Sequence, residues 1–218
     1  MKPLSDCWLY AFVDTGYLGG RPAERVAEAL CAGGADLIQL RAKGSSPEEV
    51  RRLAQAILPI TRRAGIGLVV NDHFAVTREV GAEACHLGQG DFFGAGYGHV
   101  SALRPPGCGP LVGLSTHSPG DAVRAMAAGA DYIAVGPVYA TGTKPGVKPV
   151  TLELVRWAAA NVRVPWFAIG GVSLETLDAV LAAGARRVCV VSAILNAPDV
   201  AGACRGFAQR LREARGAS

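Results

Sequence analysis

The chain has 218 residues, of which 50% are hydrophobic and 18% are charged, and its formal net charge at pH 7 is +4. This length allows one substantial core and lies in the size range of a compact α/β barrel. So modest a charge argues against nucleic-acid binding, and no apolar run approaches membrane-spanning length. Because the first apolar run, residues 8–13, is also too short for a signal-peptide core, we expect a soluble cytoplasmic protein without membrane partners.

The six cysteines lie far apart in the sequence, so the chain has no close CxxC pair. We therefore expect neither a disulfide framework nor a zinc site. Cys85 and Cys189 lie in apolar, strand-like runs, where a reduced cysteine packs as a small hydrophobic residue. The arginines near the C-terminus are interpreted as the solvated face of a last helix: Arg205, Arg210, Arg212 and Arg215.

A repeated helix-to-strand junction organises the chain. Helix-like stretches end at or near a Gly-Ala pair, and a β-rich run follows within a few residues. Glycine suits the left-handed residue that closes a helix. The junction glycines 34, 81, 129 and 184 are 47, 48 and 55 residues apart, which fits two βα units in each interval. The runs that follow them are therefore predicted as the even strands: residues 37–40, 85–87, 132–135 and 188–191.

The odd strands are predicted between them, at residues 8–13, 66–70, 111–114 and 165–169. Amphipathic stretches at residues 47–60, 121–128, 152–160 and 174–181 are predicted as helices. Eight alternating βα units predict a single-domain parallel (β/α)8 TIM barrel over residues 1–218. The alternative is an open doubly wound sheet, although no GxGxxG motif follows the first strand.

In a barrel of this kind the chemistry lies where strands end. After the second strand, Gln39, Arg41 and Lys43 share one face of an extended chain, because side chains alternate. Two of these three groups are cationic, which suits an anionic substrate. The alternative interpretation is an exposed loop that begins early.

Two acids follow neighbouring strands: Asp72, after Asn71, and Asp91. They can converge on one Mg2+, since this ion is typically held by one or two carboxylates together with substrate phosphates and waters. Alternatively, each acid merely caps the helix that follows it. His73 and His86 are expected to pack or to form hydrogen bonds rather than to bind metal.

The remaining strand ends carry groups suited to phosphate. Ser115 lies in a hydroxyl-rich turn, although Ser118 there can simply begin a helix. The segment 140–149, in which Thr141, Thr143 and Lys144 lie among glycines, resembles an anion-binding flap. Gly171 and Ser192 follow the last two strands, whose loops often bind phosphate through backbone N–H groups. Two anion-binding regions indicate two phosphorylated substrates.

Together these motifs resemble the thiamine phosphate synthase family. They appear in family order over residues 39–194: Gln39-Leu40-Arg41-Ala42-Lys43, Asn71-Asp72, His86-Leu87-Gly88-Gln89-x-Asp91, Gly113-Leu114-Ser115-Thr116-His117, Gly136-Pro137-Val138 with Thr141-x-Thr143-Lys144, Gly170-Gly171 and Val191-Ser192-Ala193-Ile194. The whole set of motifs is far more specific for this family than any single motif is.

The resemblance implies a role for each motif. The residues expected to hold hydroxymethylpyrimidine diphosphate are Gln39, Leu40, Arg41, Ala42, Lys43, Asn71, Ser115 and Lys144. The residues expected to hold the thiazole phosphate are Thr141, Gly142, Thr143, Gly171, Val191 and Ser192. The sequence does not decide whether this substrate carries an extra carboxylate. Asp72 and Asp91 are expected to hold Mg2+, and the implied catalytic residues are Arg41, Lys43, Ser115 and Lys144.

The implied reaction is dissociative. Pyrophosphate leaves first, and the thiazole nitrogen captures the resulting pyrimidine methylene cation to give thiamine phosphate. A related thiazole tautomerase is one alternative, but it typically has a histidine at the position of Pro137 and lacks the acid at Asp91. A non-catalytic phosphometabolite-binding barrel is the other alternative. The partners implied are small molecules, and the sequence does not decide whether the protein forms a homo-oligomer.

Overall fold

Eight parallel strands form a closed barrel in the computed structural model, which describes residues 1–140 and 149–216. The strands pair in chain order, and the first also pairs with the last, so the sheet closes on itself. Their bounds are β1 Leu9–Asp14, β2 Leu37–Arg41, β3 Gly67–Asn71, β4 Ala84–Leu87, β5 Leu111–Thr116, β6 Tyr132–Val135, β7 Trp166–Ile169 and β8 Val188–Cys189. The predicted (β/α)8 TIM barrel is confirmed, and the open-sheet alternative is wrong.

Helices connect the strands and cover the outside of the barrel. Their bounds are α1 Ala23–Gly33, α2 Pro47–Arg63, α3 Phe74–Val80, α4 Pro119–Ala127, α5 Thr151–Asn161, α6 Leu174–Ala182, α7 Ser192–Leu195 and α8 Val200–Gly216. The hydroxyl of Ser118 accepts a hydrogen bond from the backbone N–H of Asp121 at 3.1 Å, so Ser118 does begin a helix. In the described part of the chain, none of the helices is long and apolar enough to cross a membrane.

The four junction glycines have the predicted left-handed backbone. Their φ angles are 85° at Gly34, 74° at Gly81, 77° at Gly129 and 100° at Gly184. In this region a Cβ atom clashes with the following carbonyl group, so glycine costs least there. The repeat read from the sequence therefore reports real helix ends.

Several predicted bounds differ by one to three residues from those observed, and the differences at β8 and α2 have clear causes. Strand β8 ends at Cys189 rather than at residue 191, because Val191 turns away (φ −115°, ψ −86°) to become the residue that precedes α7. Helix α2 runs to Arg63, three residues beyond the predicted end, with Pro59 inside it. The sequence prediction stopped near this proline because proline interrupts helical hydrogen bonding.

Aromatic rings fill the middle of the barrel. Tyr10 of β1, Tyr132 of β6 and Phe167 of β7 are fully buried, and their ring centroids lie 5.3 to 6.2 Å apart in edge-to-face arrangements. Gly113 of β5 leaves room for one of them, since a Cβ atom there would overlap the Tyr132 ring. These rings form a rigid floor below the carboxyl ends of the strands.

Candidate active site

A cleft of about 960 Å3, including the part open to solvent, lies above this floor where the carboxyl ends of the strands meet. Barrel enzymes of this fold carry their active sites at this end. The residues predicted from the sequence that line the cleft are Gln39, Arg41, Lys43, Asn71, Asp72, Asp91, Ser115, Gly171, Val191 and Ser192. Sequence positions up to 153 residues apart are thus brought into one cavity.

The strand β2 motif is split between two faces. Gln39, Arg41 and Lys43 point into the cleft, as their alternation predicted. Leu40 and Ala42 do not line the cleft; they are 1% and 6% exposed and belong to the hydrophobic core. A substrate contact by Leu40 and Ala42 stays a prediction. Such a contact would have to come from their backbone, because their side chains face the core.

Arg41 is held by an acid that the sequence did not single out. Its Nη1 atom donates a hydrogen bond to Oδ2 of Asp14 at 2.7 Å. Asp14 ends β1 and is 1% exposed, and its other carboxylate oxygen accepts a hydrogen bond from the backbone N–H of Gly16 at 2.9 Å. A buried carboxylate with two such partners anchors the guanidinium group beside the cleft.

Lys43 reaches the next strand. Its ammonium group donates a hydrogen bond to the Asp72 carboxylate. Asp72 has a left-handed backbone, with a φ of 64°, and the residue that caps α3 is His73. The alternative interpretation, in which Asp72 merely caps this helix, is therefore wrong, and its carboxylate faces the cleft instead.

Asp91 lies in a short helical turn, Gly90–Gly94, after β4. Burial, together with a smaller effect of the charges of Asp72 and Asp91, raises the pKa of the nearby Cys85 thiol to about 12. Both carboxylates therefore lie within electrostatic range of the same buried sulfur atom. Among residues 1–140 and 149–216, no cluster of three or more histidine, cysteine or acidic side chains is suited to hold a metal.

Two carboxylates, with no third protein ligand among the residues that the structure describes, fit Mg2+ better than they fit zinc. Mg2+ is an oxygen-seeking ion that keeps several waters and commonly takes its other ligands from substrate phosphates, whereas zinc favours cysteine and histidine. Asp72 and Asp91 supply hard oxygen atoms at the edge of a cleft that also contains two cationic side chains. The donor set therefore fits a metal that is completed by a bound diphosphate.

Ser115 lies on the neighbouring strand β5, above the aromatic floor. Its Oγ atom is 3.0 Å from Nε2 of His86, and the Nδ1 atom of His86 is 3.3 Å from the hydroxyl of Tyr132. The backbone carbonyl of Ser115 accepts a hydrogen bond from Gln89 at 2.6 Å. The expectation that His86 forms hydrogen bonds is confirmed.

On the opposite side, the ends of β7 and β8 contribute backbone rather than charge. Gly171 has a φ of 66°, and a Cβ atom there would lie 2.6 Å from Cβ of Tyr139 and 2.9 Å from the carbonyl oxygen of Ala140. Glycine is required at this position by its backbone conformation and by this packing. Val191 and Ser192 lead into α7, so the first N–H groups of a short helix lie beside the cleft.

Thr141, Gly142, Thr143 and Lys144 lie outside the described residues, and their predicted roles stay predictions. Several cleft residues were not predicted as ligands from the sequence: Tyr10, Phe12, His117, Pro137, Ile169 and Cys189. The apolar ones resemble ordinary core residues in the sequence. Only their alternation with the polar positions along each strand signals that they face the cavity.

Comparison with known proteins gives consistent matches along the chain. The family described as "Thiamine monophosphate synthase" matches residues 9–194. A thiamine-phosphate synthase of Thermus thermophilus is 44% identical over 189 residues, covering 86% of this chain and 88% of that protein. The Streptomyces avermitilis thiamine-phosphate synthase is 44% identical over 214 residues, covering 97% and 96%. A third, from Halalkalibacterium halodurans, is 37% identical over 211 residues, covering 96% and 98%.

Solved structures give the same result for the fold. A thiamine phosphate pyrophosphorylase from Pyrococcus furiosus superposes with a TM-score of 0.85 at 25% identity, covering 97% of this chain and 98% of that one. The (S)-3-O-geranylgeranylglyceryl phosphate synthase of Thermoplasma acidophilum gives 0.69 at 15% identity, covering 98% and 99%. The second likeness concerns the barrel fold alone.

Proposed function

The chain belongs to the thiamine monophosphate synthase family and is a transferase of that activity, and from this premise we propose how its cleft makes thiamine phosphate. The substrates are 4-amino-2-methyl-5-(diphosphooxymethyl)pyrimidine and 4-methyl-5-(2-phosphoethyl)thiazole, the latter with or without a 2-carboxylate. The products are thiamine phosphate and pyrophosphate. The observation that carries this assignment is that two cationic and two acidic side chains, Arg41, Lys43, Asp72 and Asp91, line one cleft.

The diphosphate group binds at the β2–β3–β4 side of the cleft. Arg41 and Lys43 bind its oxygens there, and Asp72 and Asp91 would hold Mg2+. Lys144, which lies outside the described residues, is proposed as a third cation. When bound there, the ion would supply positive charge that stabilises the leaving group. Because Asp14 already anchors Arg41, its guanidinium group is oriented before the substrate arrives.

The pyrimidine ring lies deeper, over Tyr10 and Phe12, whose rings stack 5.3 Å apart at the cleft floor. Gln39, Asn71 and Ser115 surround this position and supply hydrogen-bonding groups. The apolar side chains at this depth suit a heterocycle, and the polar groups around it orient the ring.

The thiazole phosphate binds on the other side of the cleft. Backbone N–H groups near Gly171, Val191 and Ser192, with the Ser192 hydroxyl, bind its phosphate. Thr141, Gly142 and Thr143, which lie outside the described residues, are proposed as further ligands of this substrate. The two anionic substrates are thus held apart, and their reacting atoms are directed towards each other over the barrel axis.

The reaction begins as the C–O bond between the pyrimidine methylene and the diphosphate breaks, with both electrons leaving on oxygen. Arg41 and Lys43 stabilise the charge that grows on the departing pyrophosphate. The lone pair of the thiazole nitrogen then forms the new C–N bond. Because the cleft holds this nitrogen near the cationic carbon, capture by the thiazole outcompetes capture by water.

The residues at two cleft positions favour synthesis over the tautomerase alternative. Pro137 and Asp91 both line the cavity. A tautomerase would typically have a histidine at the position of Pro137 and would lack the acid at the position of Asp91. Retained Asp72 and Asp91 likewise favour catalysis over simple binding, since binding alone needs no metal-assisted leaving-group site.

Formation of thiamine phosphate and pyrophosphate from both substrates with Mg2+ is the direct test. The Lys43→Gln variant should lose activity, whereas the Lys2→Gln variant, altered near the amino-terminal end of β1 where Lys2 pairs with Asp36, should not. A purified wild-type protein that forms no thiamine phosphate would overturn the assignment. Isomerisation of a thiazole phosphate without the pyrimidine substrate would favour the tautomerase.

A further inference from the structure

A continuous chain of hydrogen bonds crosses the barrel below the cleft. Nε2 of Gln39 donates to the Tyr10 hydroxyl at 2.5 Å, and the hydroxyls of Tyr10 and Tyr132 are 3.2 Å apart. Nδ1 of His86 lies 3.3 Å from the Tyr132 hydroxyl, and Nε2 of His86 lies 3.0 Å from Oγ of Ser115. We call this set the buried chain: Gln39, Tyr10, Tyr132, His86 and Ser115.

The members of the buried chain are shielded from solvent. Tyr10 and Tyr132 are fully buried, and the other members are between 2% and 7% exposed. Phe167 packs edge-to-face on both tyrosine rings, at 5.3 and 5.8 Å. Burial raises the pKa of both phenols well above the ordinary value, so both keep their protons at any working pH. Each hydroxyl therefore has one proton to donate.

The number of protons on each group allows one donor-to-acceptor direction to be assigned along the buried chain. Since the Tyr10 oxygen accepts a hydrogen bond from Gln39, we assign the Tyr10 proton to its contact with the Tyr132 oxygen, in which either hydroxyl can be the donor. Tyr132 then donates to Nδ1 of His86, which is the tautomer with its proton on Nε2. This N–H donates to Ser115, whose hydroxyl proton remains for the cleft. At the other end, the amide oxygen of Gln39 remains as an acceptor.

We propose that Tyr10, Tyr132 and His86 are positioning residues that fix the hydrogen-bonding polarity of the two chain ends. Gln39 is held as an acceptor and Ser115 as a donor, and both face the substrate. This rests on the proposed function, since the ligand then needs a donor near Gln39 and an acceptor near Ser115. An aminopyrimidine has both, in its exocyclic amino group and its ring nitrogens. A pyrimidine with a carbonyl at the amino position presents the wrong group to Gln39.

A double-mutant cycle tests the path from Tyr132 to Ser115. Tyr132→Phe removes one oxygen and should lower kcat/KM for the pyrimidine diphosphate about tenfold, since it leaves buried polar groups unpaired. It should leave the KM for the thiazole phosphate unchanged. In a Ser115→Ala background the same change should have little further effect, because the group it positions is gone. Tyr97→Phe is the matched control, since Tyr97 lies outside the cleft lining and the buried chain.

A substrate comparison tests the Gln39 end. Wild-type protein should prefer the 4-amino pyrimidine diphosphate over its 4-hydroxy analogue. Tyr10→Phe should reduce this preference at least severalfold, because the unanchored amide is free to turn its N–H group towards the ligand. A purely structural defect would lower the rates for both substrates equally and keep their ratio.

These outcomes separate the two proposals. Wild-type protein that makes no thiamine phosphate refutes the proposed function before any variant is compared. Active wild-type protein with multiplicative effects of Tyr132→Phe and Ser115→Ala refutes the positioning role, as does an unchanged amino-to-hydroxy ratio in Tyr10→Phe. Melting temperatures identify any variant that does not fold, and the two experiments use different tyrosines, so loss of one variant leaves the other to decide.

Discussion

The guanidinium group of Arg41 and the carboxylate of Asp14 form a hydrogen-bonded ion pair, with 2.7 Å between Nη1 and Oδ2, at the ends of adjacent strands. The Asp14 side chain is 1% exposed and that of Arg41 is 16% exposed. The pair is therefore shielded from solvent on the acidic side and open to the cleft on the basic side. This arrangement aims a fixed positive charge at the position proposed for the diphosphate.

Asp14→Asn should release Arg41 while preserving side-chain size. We expect kcat/KM for the pyrimidine diphosphate to fall roughly tenfold or more, and the free energy of unfolding to fall by about 1–3 kcal/mol, because a buried charged hydrogen bond is lost. Steady-state kinetics and urea unfolding measure the two effects. Glu28→Gln breaks the exposed Arg25–Glu28 pair and should change neither. An Asp14→Asn variant with wild-type kinetics would show that Asp14 does not position Arg41.

Buried thiols should make the fold sensitive to alkali. Burial is the main cause that raises the pKa of Cys7 from 9.0 to about 11 and that of Cys85 to about 12. In the unfolded chain these thiols ionise near pH 9, while the folded protein still holds their protons. Their contribution to stability is therefore complete below pH 9 and is lost as the pH rises through the folded values.

The melting temperature should accordingly fall between about pH 9 and pH 12 more steeply in the wild type than in Cys85→Ala. Cys85→Ala will also melt lower at pH 7, because it leaves a small cavity, so the comparison concerns the slope and not the absolute value. Cys108 is exposed, and Cys108→Ala should follow the wild-type curve. Identical slopes for wild type and Cys85→Ala would rule out a contribution from this thiol.

The sequence predicted what depends on local pattern. The glycines at the helix-to-strand junctions, such as Gly34, located the helix ends. The alternation of side chains along β2 correctly placed Arg41 and Lys43 on the cleft side. Asp14 was missed because, at the end of an apolar run, it reads as a simple strand end. Its partner lies 27 residues away, and only the pairing of β1 with β2 brings the two together.

The buried chain could not be read from the sequence for a similar reason. Tyr10, His86 and Tyr132 come from β1, β4 and β6, which meet only across the interior of a closed barrel. In the sequence each one looks like an ordinary core residue. The packing requirement at Gly171 was likewise invisible in the sequence, since Tyr139 and Ala140 occupy the space beside it only in the folded chain.

Ser192→Ala should raise the KM for the thiazole phosphate about tenfold and leave that for the pyrimidine diphosphate unchanged, because a hydrogen bond to a charged phosphate is lost. Initial rates with each substrate varied in turn measure the split. Ser5→Ala is the control, since Ser5 is exposed and lies before β1. Equal rises for both substrates would contradict separate anion sites. Gly171→Val is a poorer probe, because its side chain would displace Tyr139 and lower the melting temperature for steric reasons.

Asp91→Asn tests the proposed magnesium site most directly. Asp91 is exposed and lies in a short turn, so its replacement should leave the melting temperature unchanged. The carboxylate charge is lost, and the Mg2+ concentration needed for half-maximal activity should rise at least tenfold, with a lower rate at saturation. Asp178→Asn, which alters an exposed acid on the outer helix α6, should behave as the wild type.

Binding of Mg2+ in the presence of pyrophosphate, measured by calorimetry, gives a readout that does not depend on turnover. The wild type should bind the two ligands cooperatively, since the phosphate oxygens complete the coordination of the ion and the ion offsets their charge. Asp91→Asn should weaken this coupling, whereas pyrophosphate binding without Mg2+ should stay the same or become tighter, because one repelling carboxylate is removed. If Asp91→Asn retains both the wild-type Mg2+ requirement and the wild-type coupling, Asp91 is not a ligand, and Asp72 then has to hold the ion with substrate oxygens and water alone.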